Sequence, residues 1–128
     1  MKRTPLKRKT PLRAKSKRRS KYKRRPRAID YMLWVKTLSC CASSFATDTA
    51  PCDGPIEADH AGERIAGMGT KSLDRDVIPL CRGHHRDRHA FDGPFSGWTR
   101  DQMRTWLDGE IRAARCRARA AGIEVPSC

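Results

Sequence analysis

The chain has no run of apolar residues near the about 18 that a membrane-spanning helix needs. Its first 27 residues also lack the apolar segment of a secretory signal. These two absences lead us to expect a cytoplasmic protein that does not associate with a membrane.

Acidic side chains are missing from residues 1–27, which hold 15 lysines and arginines. Residues 28–128 hold 13 basic and 14 acidic side chains, so the formal net charge of +14 belongs to the N-terminal segment. This segment has too little apolar surface to offset the entropy that it would lose on ordering, so we predict a disordered polybasic tail over 1–27. Such a tail binds nucleic acid through counterion release. A solubilising role and binding to anionic lipid are the alternatives, and the lack of an apolar face disfavours membrane insertion.

The six cysteines belong to a chain with no export signal, so metal binding is favoured over a disulfide framework. Only about 100 residues remain to fold, and a structural metal would add stability to so small a core.

All four histidines lie within residues 56–89, and Asp59 directly precedes the first of them. An apolar-bounded segment ends in Asp59-His60, a glycine-rich loop follows, and the apolar run 77–80 leads into Cys-x-x-His-His-x-x-x-His. This order predicts strand, loop, strand and helix. His85 and His89 would then lie one above the other on a helix face, where they and Asp59 can hold one cation. Ordinary surface histidines are the alternative, which the concentration of histidines disfavours.

Cys81 and His84 have the spacing of a pair that binds tetrahedral zinc. Cys52 lies just before the first strand, well placed to meet Cys81 across the hairpin. The fourth ligand is Cys40 or Cys41, and we choose Cys40. Buried thiols without a metal are the alternative.

The flanking segments predict two further helices. Between residues 28 and 38, Ile29, Met32 and Leu33 suit a short helix that packs on the domain, with Val35 and Trp34 as further candidates. Thr99 is a candidate N-cap for a last helix from residue 100 to about 121, which has apolar residues at helical spacing. The predicted fold class is α+β, with one domain over 28–128 and a zinc-stabilised core over about 52–91.

Asp59, His85 and His89 mix carboxylate and imidazole and leave coordination positions for substrate and water. Such a set suits catalysis by Mg²⁺, Mn²⁺ or Zn²⁺ more than structure. His60 can accept a proton from water near neutral pH. A cation beside a general base is the minimal equipment for phosphodiester hydrolysis.

The pattern Asp59-His60, Asp76 and His85-x3-His89 resembles an HNH endonuclease of the ββα-metal superfamily, over residues 40–89. The basic tail, the loop 67–71 and the run 79–85 resemble, more narrowly, the RecA-dependent Ref-like nucleases of phages and prophages. The resemblance implies that His60 is the general base and that Asp59, His85 and His89 are metal ligands. Asp76 stands where the family has an asparagine that fixes the loop of the base or reaches the metal.

The resemblance also implies a small ββα-metal core and a metal-dependent DNA endonuclease, for which we expect low sequence specificity. Arg64, Lys71 and Arg86 are candidates for holding the phosphate backbone, and a recombinase filament is a candidate partner. One alternative is a non-catalytic, zinc-stabilised nucleic-acid-binding protein. Another is a basic RNA- or ribosome-associated protein, which explains the tail but not the histidines.

Overall fold

The computed structural model describes residues 28–63 and 72–126. The predicted tail, Arg64 and Lys71 lie outside the described residues. The helices and strands, in chain order, are α1 (Ile29–Val35), β1 (Ile56–His60), β2 (Val77–Cys81), α2 (Arg82–Ala90) and α3 (Arg100–Ala120), with short 3-10 turns at Ser43–Phe45, Asp74–Asp76 and Gly93–Phe95. The coarse α+β prediction is confirmed: the described residues form one two-stranded antiparallel sheet and three α-helices.

The hairpin and α2 bring the two ends of the histidine-rich window together. In the antiparallel register, Ile56 pairs with Cys81 and His60 pairs with Val77. Asp59 therefore lies near the far end of β1, and the chain turns directly from Cys81 into α2. Every residue of β2 is buried, as a continuous apolar run predicts for a strand that is covered on both faces.

The side chains of β2 contribute to two parts of the core. Ile78 and Leu80 are fully buried in a cluster that includes Leu107 and Ile111 of α3. Val77 joins a second, smaller cluster. Burying each such aliphatic side chain stabilises the fold by about 1.5–3 kcal/mol, so this short strand is the centre of the domain.

The N-terminus of α3 has the predicted cap. The Thr99 hydroxyl accepts a hydrogen bond from the backbone N–H of Gln102 at 3.1 Å. The Gln102 side chain in turn accepts from the backbone N–H of Thr99 at 2.8 Å. This reciprocal capping box satisfies two helix-end donors, and it explains why the helix begins at residue 100.

The prediction that Ile29 and Leu33 pack on the domain is wrong. These side chains are 53% and 55% exposed, whereas Tyr31 and Val35 are buried. Each pair is four residues apart and so shares one face of the helix. The face with Tyr31 and Val35 packs in the smaller cluster, and this leaves Ile29 and Leu33 on a wall of the cleft described below.

Among the described residues, no helix is both long enough and apolar enough to cross a membrane.

Two candidate metal centres

The first candidate centre brings together the three thiols and the imidazole that the sequence predicted: Cys40, Cys52, Cys81 and His84. One possible ligand atom from each lies within 4.8 Å of the others. Cys81 ends β2 and His84 lies in the first turn of α2, so the strand-to-helix turn sets their separation. These four side chains could hold a metal such as zinc, which favours four thiolate and imidazole ligands in a tetrahedral arrangement.

The hydrogen bonds of His84 leave one ring nitrogen facing the thiols. Its Nε2 lies 3.0 Å from the carbonyl oxygen of Ala50, a partner to which it can only donate. In the neutral ring the proton is therefore on Nε2, and Nδ1 keeps its lone pair. Nδ1 lies 3.5 Å from the Sγ atom of Cys40 and 3.7 Å from that of Cys52. A backbone carbonyl that fixes the tautomer in this way is typical of metal-ligating histidines.

The structure distinguishes Cys40 from its neighbour. The backbone N–H of Cys41 donates to the carbonyl of Pro79 at 2.9 Å, so this segment runs beside β2. The Cys40 thiol then meets Cys81, while Cys41 packs against the core. Burial raises the pKa of Cys40 to about 11, and burial also raises the pKa of Cys41. Only Cys40 has the other ligands beside it, so the choice of Cys40 is the one that the geometry supports.

The second candidate centre is formed by Asp59 of β1 and by His85 and His89 of α2. One ligand atom from each again lies within 4.8 Å of the others. The Oδ1 atom of Asp59 is 3.1 Å from Nε2 of His85 and 3.9 Å from Nε2 of His89. The two imidazole rings are 5.1 Å apart, as expected for residues one helical turn apart. The mixed carboxylate and imidazole donors fit Mn²⁺ or Zn²⁺ and also admit Mg²⁺.

Glu57 supports His85, and sequence reasoning missed it. The Oε2 atom of Glu57 lies 2.7 Å from Nδ1 of His85, and its Oε1 accepts a hydrogen bond from Nε of Arg82 at 2.9 Å. These hydrogen bonds lower the pKa of Glu57. Glu57 precedes Asp59 by two residues, so the period of a strand puts both on one face. That two-residue spacing is the feature of the sequence that could have identified Glu57.

Arg88 is the second residue that sequence reasoning missed. It lies between His85 and His89 on α2, and its guanidinium donates to both carboxylate oxygens of Asp59, at 2.5 and 2.8 Å. Burial alone would raise the pKa of Asp59, but the hydrogen bonds from His85 and Arg88 outweigh burial, and the pKa is lowered. The hydrogen bond to Asp59 also raises the pKa of His85, against the effect of burial. Asp59 is thus held as a carboxylate.

His60 has a carboxylate partner that the sequence did not suggest. Its Nε2 lies 2.9 Å from Oδ1 of Asp74, in the turn before β2. The other oxygen of Asp74 accepts a hydrogen bond from the backbone N–H of Ala28, at the start of α1. Asp74 therefore fixes the His60 ring against the point where the polybasic segment joins the domain.

Asp76 is not among the clustered ligands of either centre. Its carboxylate accepts a hydrogen bond from Arg115 of α3, and its backbone carbonyl accepts from the N–H of Ala61 at 2.9 Å. A Cβ atom added at Gly62 would lie 2.5 Å from the Asp76 side chain. Glycine at position 62 thus permits Asp76 to pack against the loop that follows His60.

A cleft of about 710 Å³ lies over the second centre. Its lining includes Asp59, His60, His85, Arg88 and His89 from β1 and α2, together with α1 and part of α3. Arg86 is on the same helix and has a side chain that is 78% exposed, and its nearest acidic partner is Asp87 at 3.7 Å. The role of Arg86 in holding a phosphate backbone stays a prediction.

Known proteins resemble the chain over part of its length. A 62-residue stretch is 40% identical to the uncharacterized protein YdfU of Escherichia coli strain K12. The stretch makes up 47% of this chain, and the chain spans only 15% of that relative's length. No solved structure matches the chain. A family model described as a protein of unknown function, DUF968, matches residues 13–106. Since this match extends over more than half of the sequence, the chain belongs to the DUF968 family.

Proposed function

We propose that this protein is a metal-dependent endonuclease of the HNH type that hydrolyses phosphodiester bonds in DNA. The observation that carries the proposal is the convergence of Asp59, His85 and His89 within 4.8 Å, with His60 in the same cleft. A purely structural zinc protein has no use for this second, thiol-free set. The thiol-rich centre would hold a structural metal, for which zinc is the candidate.

The second centre fits a divalent cation on the chemistry of its donors. One buried carboxylate and two imidazoles leave coordination positions for water and for a phosphate oxygen. A cation bound there would polarise the phosphate and stabilise charge on the leaving oxygen. Glu57 would orient His85 through the hydrogen bond at Nδ1, so that Nε2 faces Asp59.

His60 is the proposed general base. Oδ1 of Asp74 lies 2.9 Å from Nε2 of His60, and an ionised carboxylate can only accept a hydrogen bond. In the neutral ring the proton would therefore be on Nε2, and Nδ1 would be the atom that takes a proton from water. That water would attack phosphorus in line, the P–O3′ bond would break, and the 3′ oxygen would take a proton from solvent, which leaves a 5′-phosphate and a 3′-hydroxyl. Asp76 would hold the loop that follows His60, through its contact with Ala61.

The proposed substrate is DNA with little sequence preference. The 15 basic residues of segment 1–27 would contact phosphates, and these contacts carry no base information. A recombinase filament remains a proposed partner.

The competing proposal is a zinc-stabilised nucleic-acid-binding protein without catalysis. A plasmid-nicking assay with Mg²⁺, with Mn²⁺ and without added metal separates the two. The nuclease proposal expects metal-dependent nicking that the His60→Ala variant loses while it still folds and binds DNA. Full nicking by His60→Ala would remove His60 from its role, and no nicking by the wild-type protein with any cation would favour the binding protein.

A further inference from the structure

The guanidinium of Arg88 reaches the same atoms that a cation would use. Its Nη2 atom lies 2.8 Å from Oδ1 of Asp59 and 3.1 Å from Nε2 of His89. These two acceptors belong to two of the three side chains of the second centre. Arg88 and Asp59 are 8% and 2% exposed, so water screens little of their interaction. A positive group of the chain itself therefore competes for the cation's ligands.

The charges of the cluster follow from this arrangement. The positive charge of Arg88 cancels the negative charge of Asp59, and an imidazole that ligates a metal is neutral. A divalent cation that enters the cluster adds two positive charges beside the guanidinium, and like charges at such a short distance repel strongly. A phosphodiester carries one negative charge and offsets part of that repulsion.

We propose that Arg88 couples the binding of a divalent cation at Asp59 and His89 to the binding of a phosphodiester in the same cleft. This inference rests on the cation and phosphate sites of the proposed function. The two hydrogen bonds from Arg88 use different oxygens of Asp59. Oδ1 also accepts from Nε2 of His85 at 3.1 Å, so Oδ1 becomes available to the cation when the Nη2 bond is released and His85 gives up its Nε2 proton to become a neutral ligand. The Nε bond to Oδ2 continues to compensate the buried carboxylate. The freed end of the guanidinium binds a phosphate oxygen in the cleft, a partner that suits its planar array of donors.

The coupling has a thermodynamic consequence for the affinities of the cation and the phosphodiester. The cation alone binds weakly, because it displaces a donor and is repelled by the guanidinium. A phosphodiester strengthens cation binding, and the cation must strengthen phosphodiester binding by the same factor. The catalytic cation is then recruited mainly when a nucleic-acid backbone occupies the cleft.

The test is a calorimetric titration of full-length protein with Mn²⁺, in the presence and absence of a short DNA duplex, with every protein carrying His60→Ala so that the duplex stays intact. Three variants are compared with this background. Arg88→Gln removes the charge, Arg88→Lys keeps it, and Arg112→Gln removes the same charge from an exposed position on α3.

The duplex should strengthen Mn²⁺ binding by about tenfold or more, within the usual range for coupled sites. Without DNA, Arg88→Gln should bind Mn²⁺ at least about tenfold more tightly than the background protein, and the duplex should then strengthen binding by less than about threefold. Arg112→Gln should stay within about threefold of the background. Without DNA, Arg88→Lys should also bind Mn²⁺ within about threefold of the background because it keeps the charge, but the duplex should strengthen its binding less, because one ammonium group lacks the two separate donor ends of the guanidinium. Unchanged or weaker Mn²⁺ binding by folded Arg88→Gln would overturn the coupling.

A measurement on the His60→Ala protein alone covers the case in which Arg88→Gln does not fold. Addition of Mg²⁺ should shift the ¹⁵Nη signals of Arg88 together with the ring signals of His85. Movement of the His85 signals with fixed Arg88 signals overturns the coupling but leaves the nuclease proposal standing. If DNA strengthens Mn²⁺ binding but the wild-type protein nicks no DNA, the catalytic proposal fails and the coupling holds.

Discussion

The Oε2 atom of Glu57 lies 2.7 Å from Nδ1 of His85, and this contact joins β1 to α2 beside the second candidate centre. It holds the ring so that Nε2 lies 3.1 Å from Oδ1 of Asp59. A carboxylate in this position fixes the ring and increases the basicity of a metal-ligating imidazole. Glu57 thus supports the candidate cation site without being one of its three clustered side chains.

Replacing Glu57 should weaken cation binding. Glu57→Gln removes the negative charge and should reduce the affinity for Mn²⁺ by about 10-fold to 100-fold, as is usual when a partner of a ligating histidine is removed. Calorimetric titration measures the affinity, and Glu124→Gln, at an exposed position after α3, is the matched control. Equal affinities of Glu57→Gln and the wild-type protein would mean that Glu57 only anchors Arg82.

The contact between Asp74 and His60 predicts a loss of turnover. Asp74→Asn keeps the size of the side chain but removes the charge that fixes the His60 proton on Nε2. DNA cleavage should fall by about 10-fold to 100-fold, a part of what a general base contributes, while the affinity for DNA stays the same. Single-turnover kinetics report the cleavage step, and ¹⁵N spectra of the ring report the tautomer. An undiminished rate of the cleavage step in Asp74→Asn would contradict the assignment.

The two adjacent cysteines should respond differently to substitution. Cys40→Ser removes a thiol from the first centre. We expect the wild-type protein to contain about one zinc per chain, and the purified variant should contain less zinc and unfold at a lower temperature. Cys41→Ser should retain the metal. Elemental analysis and thermal unfolding check both, and a variant pair with equal metal content would refute the assignment of Cys40.

Asp59 should make the domain less stable in acid. Its pKa is lowered by the hydrogen bonds from His85 and Arg88 despite its burial, so below about pH 3.9 the unfolded chain binds more protons at this residue than the folded chain. Its stabilisation is therefore complete above that pH and is lost as the pH falls through the lowered, folded-state pKa.

Urea unfolding from about pH 7 to about pH 3 tests this effect. The free energy of unfolding of Asp59→Asn should fall less steeply towards acid pH than that of the wild-type protein. Both proteins keep the same thiol centre, so acid release of a metal bound there would affect them alike. Parallel curves would exclude Asp59 as a source of the acid sensitivity.

The segment 1–27 should set the salt dependence of DNA binding. Deleting it removes 15 basic residues, so the logarithm of the affinity should fall less steeply with the logarithm of the salt concentration, by about 0.9 for each phosphate that the tail no longer neutralises. Fluorescence anisotropy with a labelled duplex measures this slope. An unchanged slope would show that the tail does not bind phosphate.

Sequence reasoning succeeded where one element carries the whole pattern. His85 and His89 share a face because an α-helix has 3.6 residues per turn, and Thr99 caps α3 because its hydroxyl meets a nearby backbone N–H. It failed for α1, where several apolar residues compete for one buried face. The period of the helix shows which residues share a face, but the position of the rest of the domain determines whether the face with Tyr31 or the face with Leu33 is buried.

The sequence by itself determined most members of the two sets of candidate metal-binding side chains, the order strand, strand, helix, and the separation of a basic segment from a nearly neutral domain. These features follow from local spacing and composition. Only the tertiary structure decided that Cys40 joins the first centre, that Asp74 meets His60 and that Arg88 lies on Asp59. The last two contacts join residues 14 and 29 positions apart, and their distances are set by how β1, α2 and the intervening turn pack, which no local pattern records.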